Sequence, residues 1–324
     1  MQNILLDVRW GIIGCGNVTE VKSGPALSEV PNSKLVAVMR REKKLAEDYA
    51  KRHGVPRWYG TAEELIGDPE VNAVYIATPP AYHKEYTIQA AKAGKAVYVE
   101  KPMARTHAEC LEMIEACKTY NVPLFVAYYR RALPKFLKIK ELIEEGAIGE
   151  VRFVSTTQYQ PITEVPEEEE MPWRLQKDLA GGGLFYDLAS HTLDYLDFLL
   201  GPIKEVRGFA SNQTGRFEVE DIVSGSYIFE SSVHGTGTWC FSAFDREDRN
   251  EIVGTKGSIR FSTFGQSPIQ LRTRDREEEW MIENPLHIQR PLIQKIVEEL
   301  TGTGESPSTG ETAARTNLVL EKFV

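Results

Sequence analysis

Residues 8–18, VRWGIIGCGNV, run from a β-branched apolar stretch directly into glycines 11, 14 and 16. A glycine-rich turn between strand and helix lets backbone N–H groups and a helix N-terminus approach a pyrophosphate, where a Cβ would block contact. Gly14, Gly16, Asn17 and Val18 are the residues that would form this cradle. The pattern departs from G-x-G-x-x-G in placing Thr19 where glycine or alanine is usual, so packing of helix on strand must accept a branched residue. Alone, the turn also fits a structural role. Its context selects dinucleotide binding: it follows the first strand, heads a βαβ unit, and precedes a second strand by about 20 residues.

Outward from this turn, apolar β-branched runs alternate with amphipathic segments. The pattern predicts strands over 8–13, 35–39, 73–77, 96–99 and 124–127, and helices over 43–53, 83–93 and 108–120, the last two stopping near Gly94 and Pro123. Parallel strands need crossover connections, so this repetition implies a mainly parallel sheet with right-handed crossovers and helices on both faces. Residues 1–127 are therefore read as a dinucleotide-binding α/β domain.

In such sheets ligands bind outside the carboxyl ends of the strands. The second strand ends in LVAVMRR, with Arg40 and Arg41 and no acid until Glu42, where an acid normally holds the ribose hydroxyls of NAD. A guanidinium suits a 2′-phosphate and can stack on adenine, which favours NADP(H) over NAD(H); the alternative is a pair of exposed arginines at a strand end. After the strand at 73–77, Thr78 and Pro79 open an extended turn expected beside the nicotinamide ribose, and His83 either lines the site or merely starts a helix. Residues 97–102, VYVEKP, bring Glu100 and Lys101 to the same edge. Read alone they are a solvated charge pair; read at this edge Glu100 and Lys101 belong to the cofactor site, and Lys101 also contacts substrate.

Residues 128–324 have a different texture and form the second predicted domain. Helices are expected over 131–146, 184–200, 286–300 and 310–324, with strands over 151–160, 203–210, 221–229, 233–243, 250–254, 257–262 and 268–273. This gives a large, mainly antiparallel sheet with a helix on one face, and the uncovered face is expected to make a homodimer or homotetramer. Residues 161–174, PITEVPEEEEMPWR, carry three prolines and the acidic run Glu167–Glu170, and are read as a loop.

Composition narrows the function. The chain has 324 residues, a formal net charge of −9 and 26% charged residues, so it lacks the concentrated basic face a polyanion needs. The start, MQNILLDVRWG, has no basic segment followed by a long apolar run, which predicts a soluble, cytoplasmic protein. Four cysteines, at 15, 110, 117 and 240, show no metal-finger spacing and are read as free, small apolar residues.

Residues 181–191, GGGLFYDLASH, join a triple glycine that admits a close neighbour to a helix with Asp187 and His191 four positions apart. On an α-helix this spacing places both on one face, with Phe185, Leu188, Leu196 and Leu199 towards the buried side. A carboxylate beside a histidine orients the ring and raises its basicity, which suits proton exchange with a substrate hydroxyl. Asp194 continues that face and leaves a metal site as a thin alternative; no metal is assigned.

GIIGCGNV, TPPAYH, VYVEKP, and then WR followed by GGGLFYDLASHTLD together resemble the Gfo/Idh/MocA family of NAD(P)-dependent oxidoreductases, over nearly the whole chain and in order. The resemblance implies an N-terminal Rossmann dinucleotide-binding domain and a C-terminal α/β domain whose large open sheet serves oligomerisation. It implies that Lys101, Asp187 and His191 surround a sugar- or polyol-like substrate at the nicotinamide, with hydride moving to or from a carbinol carbon. Trp173 and Arg174 match the WR element and are candidate pocket residues, as are Tyr128 and Tyr129 at the end of the last Rossmann strand. Two other functions share the pattern: a glycosidase that uses nicotinamide for transient oxidation, and a sensing or scaffold protein that has lost the chemistry.

Overall fold

The computed structural model describes residues 4–166, 168 and 170–324. Chain contacts define two units, one of residues up to Leu133 together with Pro285–Ala314, the other of Pro134–Asn284 with Arg315–Val324. The sequence divides the chain once, at 127/128; in the structure residues 285–314 return to the first unit. The reason is the open edge of the first sheet. Ser308 Oγ donates to Val126 O (2.7 Å) and Thr309 bridges Phe125, so the returning chain covers backbone of the edge strand that would otherwise be left unpaired, while Leu5 N, ahead of the first strand, donates to Leu300 O (2.9 Å).

The first unit contains β1 (Val8–Ile13), α1 (Asn17–Val21), α2 (Ala26–Glu29), β2 (Ser33–Met39), α3 (Lys43–His53), β3 (Arg57–Tyr59), α4 (Ala62–Ile66), β4 (Ala73–Ile76), α5 (His83–Lys92), β5 (Ala96–Val99), α6 (His107–Thr119) and β6 (Leu124–Val126). They form a six-stranded sheet in the order β3-β2-β1-β4-β5-β6, and every adjacent pair is parallel. Every residue of β4 and β5 is buried, as expected of strands covered on both faces. Strand order reverses between β1 and β4, which puts the switch point, and the crevice ligands use, at the glycine turn. The sequence missed β3 because three half-buried residues, RWY, carry no measurable period.

The second unit contains α7 (Pro134–Glu144), β7 (Val151–Tyr159), α8 (Lys177–Ala180), α9 (Ser190–Leu200), β8 (Ile203–Ser211), β9 (Ile222–Phe229), β10 (His234–Cys240), β11 (Glu247–Gly254), β12 (Gly257–Phe261), β13 (Ile269–Thr273) and β14 (Glu277–Trp280). The eight-stranded sheet runs β14-β13-β12-β11-β7-β10-β9-β8, antiparallel throughout except for the parallel β7–β10 pair. One face is core: Trp239 of β10 meets Phe185 and Phe323 at 5.2 and 5.5 Å between ring centroids, and Tyr195 of α9 packs on Phe261. On the other face Thr236 and Thr238 alternate outward, and Phe153 and Phe209 are exposed. Of the acidic run, Glu167 and Glu169 lie outside the described residues.

Two helices close the chain, α10 (Arg290–Leu300) and α11 (Gly310–Phe323). The expected start at 286 moves to Arg290, because Gln289 N and His287 Nδ1 are held by Lys22 O (3.1 Å) and Val21 O (2.5 Å) in a non-helical approach. Among the described residues no helix is long and apolar enough to cross a membrane.

Candidate active site

The glycine turn is built by its neighbours. Gly14 has φ +90°, and a Cβ there would lie 2.8 Å from Thr78 Cγ2 and 3.1 Å from Ala77 O, so the closeness of β1 to β4 requires glycine. Gly14 N and Cys15 N both donate to Met39 O (2.9 and 3.2 Å). Gly16 is the N-cap of α1 and supplies no side-chain cap to the first N–H groups, at Asn17 and Val18. Thr19, the departure from pattern, is fully buried and useful: its hydroxyl donates to Gly16 O (2.8 Å), and its carbonyl accepts from Tyr49 OH (2.8 Å). Arg52 grips Glu20 at 2.8 and 2.9 Å, docking α1 on α3 and holding that carboxyl down to about 2. Burial pushes the Cys15 thiol up to about 11, consistent with an inert packing role.

Two observations fit a dinucleotide at this turn. A Cβ added at Gly16 would meet nothing nearer than Gly14 O, 3.9 Å away, so the cradle is open. Thr78 Oγ1, beside Gly14 at the end of β4, is buried without a hydrogen-bond partner. Arg40 and Arg41 are both exposed at the end of β2, and the Arg41 guanidinium lies 5.8 Å from the centroid of the Tyr82 ring. Pro79 is extended and starts the short turn Pro80–Tyr82.

His83 does not present its ring to solvent. It is fully buried, with Nε2 2.8 Å from Thr78 O and Nδ1 3.1 Å from both Pro102 O and Met103 O. Burial lowers its pKa, opposed by these carbonyls. The ring thus ties the loop after β4 to the loop after β5.

Glu100 likewise points inward. Its carboxylate accepts from Tyr75 OH (2.6 Å), Gln289 Nε2 (2.6 Å) and the backbone N of Lys101 (3.1 Å), while Tyr98 OH donates to Gln289 Oε1 (2.7 Å). The Tyr75 and Tyr98 rings stack at 4.7 Å, and burial, with the Glu100 charge, pushes both phenols well above their ordinary range. Glu100 is an anchor within the first unit, and Lys101, half-buried, is the residue it delivers to the sheet edge. Gln289 was not foreseen from sequence. Tyr128 and Tyr129 are buried at the end of β6, at 0% and 7% exposure.

In the second unit the expected single α-helix over 184–200 is corrected. Phe185–Ala189 is a π-helical turn and α9 begins only at Ser190, so Asp187 and His191 straddle a change of helical period and simple four-residue spacing does not describe them. Nor is α9 amphipathic: His191, Thr192, Leu193, Asp194, Tyr195 and Leu196 are all buried. The wider turn is accommodated at the triple glycine, where Gly183 packs on Val219 and its N–H donates to Glu220 Oε1 (2.9 Å). Asp187 Oδ2 accepts from Arg174 Nε (2.9 Å), and the Arg174 guanidinium sits 4.3 Å over the Trp173 ring, so WR and Asp187 form one assembly. Asp194 Oδ1 accepts from Thr316 Oγ1 (3.4 Å). Among the described residues no group of three or more His, Cys, Asp or Glu is arranged to hold a metal.

His191 is 4% exposed and packs on Phe264 in a T-shaped pair, with ring centroids 5.7 Å and planes 78° apart. Sequence reasoning missed Phe264. Its loop is fixed from both ends: the Asp248 carboxylate accepts from the N–H groups of Thr263, Phe264 and Gly265 (2.9, 2.6 and 2.9 Å), and the buried Lys135 ammonium donates to Ser262 Oγ, Gly265 O and Ser267 O (2.9, 3.3 and 3.1 Å). A loop held this tightly presents a fixed aromatic surface beside the histidine.

A parallel sheet with its switch point at an open glycine cradle, and a lysine pinned at the same edge, define a dinucleotide-dependent oxidoreductase. Residues 8–128 match the oxidoreductase family with an NAD-binding Rossmann fold, and residues 136–260 match the GFO/IDH/MocA C-terminal domain. A protein of Formosa agariphila named as an oxidoreductase is 41% identical over 321 residues, covering 98% of each chain. The 1,5-anhydro-D-fructose reductase of Ensifer adhaerens is 30% identical, covering 94% of this chain and 91% of its own. The solved structure of levoglucosan dehydrogenase in complex with NADH and levoglucosan superposes with a TM-score of 0.85 at 26% identity, covering 98% of this chain and 96% of that one. The chain belongs to the GFO/IDH/MocA oxidoreductase family, and it is an NAD(P)-dependent dehydrogenase/reductase.

Proposed function

We propose that this protein is an NADP(H)-preferring oxidoreductase that interconverts a hydroxyl and a carbonyl on a sugar- or polyol-like substrate. The observation that carries the reading is Lys101, fixed at the carboxyl end of β5 by the buried Glu100, on the sheet edge that also holds the glycine cradle and Thr78. The names of the relatives, a reductase of an anhydro-sugar and a dehydrogenase solved with levoglucosan, support the substrate class.

Gly14, Gly16, Asn17, Val18, Thr78 and Pro79 would hold the dinucleotide, and Arg40 and Arg41 its 2′-phosphate. When bound, the nicotinamide supplies or accepts the hydride. Lys101 donates a hydrogen bond to the reacting oxygen and stabilises negative charge as it develops there. His191 exchanges the proton of that oxygen, and Asp187, oriented by Arg174, supports the imidazolium. Phe264 gives the apolar face of a sugar ring a rigid surface beside His191.

Thermal denaturation with each cofactor tests the cofactor preference. At a hundred times its dissociation constant a ligand adds about 2.7 kcal/mol of stability. NADPH is expected to raise Tm more than NADH at equal concentration, and Arg40→Ala with Arg41→Ala should remove the difference; equal shifts in the unaltered protein reject the 2′-phosphate reading. A sugar and polyol panel with the preferred cofactor then reads the substrate.

We further place subunit association on the outer face of the second unit's sheet, where Phe153 and Phe209 stand exposed among Ser, Thr and charged side chains such as Arg207 and Arg249. Light scattering should give an oligomer whose mass falls on Phe209→Glu. A monomeric wild type removes the idea.

A further inference from the structure

We infer that Gln289, acting with Tyr75 and Tyr98 through the Glu100 carboxylate, is a positioning residue for Lys101. The inference rests on the reading of Lys101 as the residue that acts on substrate.

Gln289 occupies the N-cap position of α10, yet its side chain makes no cap bond. Ser, Thr, Asp and Asn are the residues that serve that position, so glutamine is not there to cap a helix. Its amide instead bridges Tyr98 and Glu100, as acceptor at Oε1 and donor at Nε2. The two partners dictate the orientation: a phenol can donate to Oε1, and a carboxylate can only accept from the NH2 group. Tyr75 completes the set by donating to the same Glu100 oxygen. The other Glu100 oxygen accepts from the N–H of Lys101 itself, so the last bond of the chain acts on the backbone that carries the lysine.

Both tyrosines are fully buried and Gln289 is 1% exposed, so no water can take over a lost partner. The backbone of Gln289 is fixed too, its N–H donating to Lys22 O at the end of α1. The network therefore joins the glycine-turn helix, β4, β5 and the returning segment to the one peptide that precedes Lys101. Breaking it frees Glu100 and lets that peptide shift, and a displacement of about 1 Å at a reacting group costs on the order of a hundredfold in rate.

Gln289→Met keeps the volume and removes both polar functions; Tyr75→Phe removes one hydroxyl. Each is expected to lower kcat about tenfold or more, with KM and the dissociation constant of NADPH, read by fluorescence, within about twofold of wild type. Gln289→Glu supplies the missing donor only when protonated, so its activity relative to wild type at the same pH should rise as pH falls. In cofactor-free protein after reductive 13C-methylation, the Lys101 signal, identified by its loss in Lys101→Ala, should move in Gln289→Met. Should Gln289→Met fail to fold, Tyr75→Phe decides with the same readouts. Turnover kept in Lys101→Ala overturns the reading of Lys101 and this inference together. Turnover lost in Lys101→Ala but within about twofold of wild type in both network variants, or an unmoved 13C signal, overturns the role of Gln289 alone.

Discussion

Lys101→Ala is expected to lower kcat at least about a hundredfold and to leave cofactor affinity nearly unchanged. The lysine is asked to stabilise charge that exists only as hydride moves, and such a group contributes to the transition state far more than to the ground state. Removing one preorganised donor of this kind typically costs about 2.7–4 kcal/mol, the equivalent of roughly 10²–10³ in rate. The structure favours the upper part of that range, because Lys101 is half-buried and the peptide before it is tied down through Glu100, so little reorganisation is needed when charge appears. Cofactor affinity is expected to survive because the phosphate cradle at Gly14 and Gly16 is made of backbone that does not depend on the lysine side chain. Lys101→Arg should not restore the rate, since a planar fork on a different stem cannot put a point charge at the same place. The measurement is steady-state kinetics with the preferred cofactor beside a fluorescence titration of NADPH. A variant retaining a tenth of wild-type kcat or more would remove Lys101 from the chemistry.

What the sequence made legible was local. The glycine turn, the strand ending in Glu100-Lys101-Pro102 and the order of strands and helices in the first unit are encoded over short stretches, where spacing translates directly into geometry. The rest needed partners far apart in the chain. Gln289 lies 189 residues from Glu100, and nothing about a glutamine ahead of a helix announces that its amide serves a buried carboxylate. Phe264 sits in a turn that owes its shape to Asp248 and Lys135, so its place beside His191 follows from packing that no period in the sequence records. The return of residues 285–314 to the first unit has the same origin, a sheet edge that must be covered. Asp187 differs in kind: the local pattern reads as continuous α-helix, whereas Phe185–Ala189 forms a π-helical turn, and the carboxylate is gripped by Arg174, thirteen residues earlier in the chain.

That assembly shapes the second large effect, expected in His191→Asn. Asparagine keeps a polar group of similar reach but cannot take up and release a proton in the neutral range, so the substitution isolates proton exchange from hydrogen bonding. General acid–base catalysis contributes about 10²–10⁴ in rate, and kcat should fall by an amount in this range. A pH profile separates this loss from that at Lys101. The wild-type kcat/KM should carry an ionisation of the free enzyme that His191→Asn erases, whereas Lys101→Ala should lower the whole profile and keep its shape. Asp187→Asn is expected to cost less than His191→Asn, because it weakens support for the imidazolium and leaves Arg174 with an uncharged partner, but the proton acceptor itself remains. His191 is nearly buried beside the Phe264 ring, so bulk water has poor access to replace it as a base. If His191→Asn retains the neutral ionisation and more than about a tenth of the wild-type rate, the proton is carried by another group, and Lys101 becomes the first to examine.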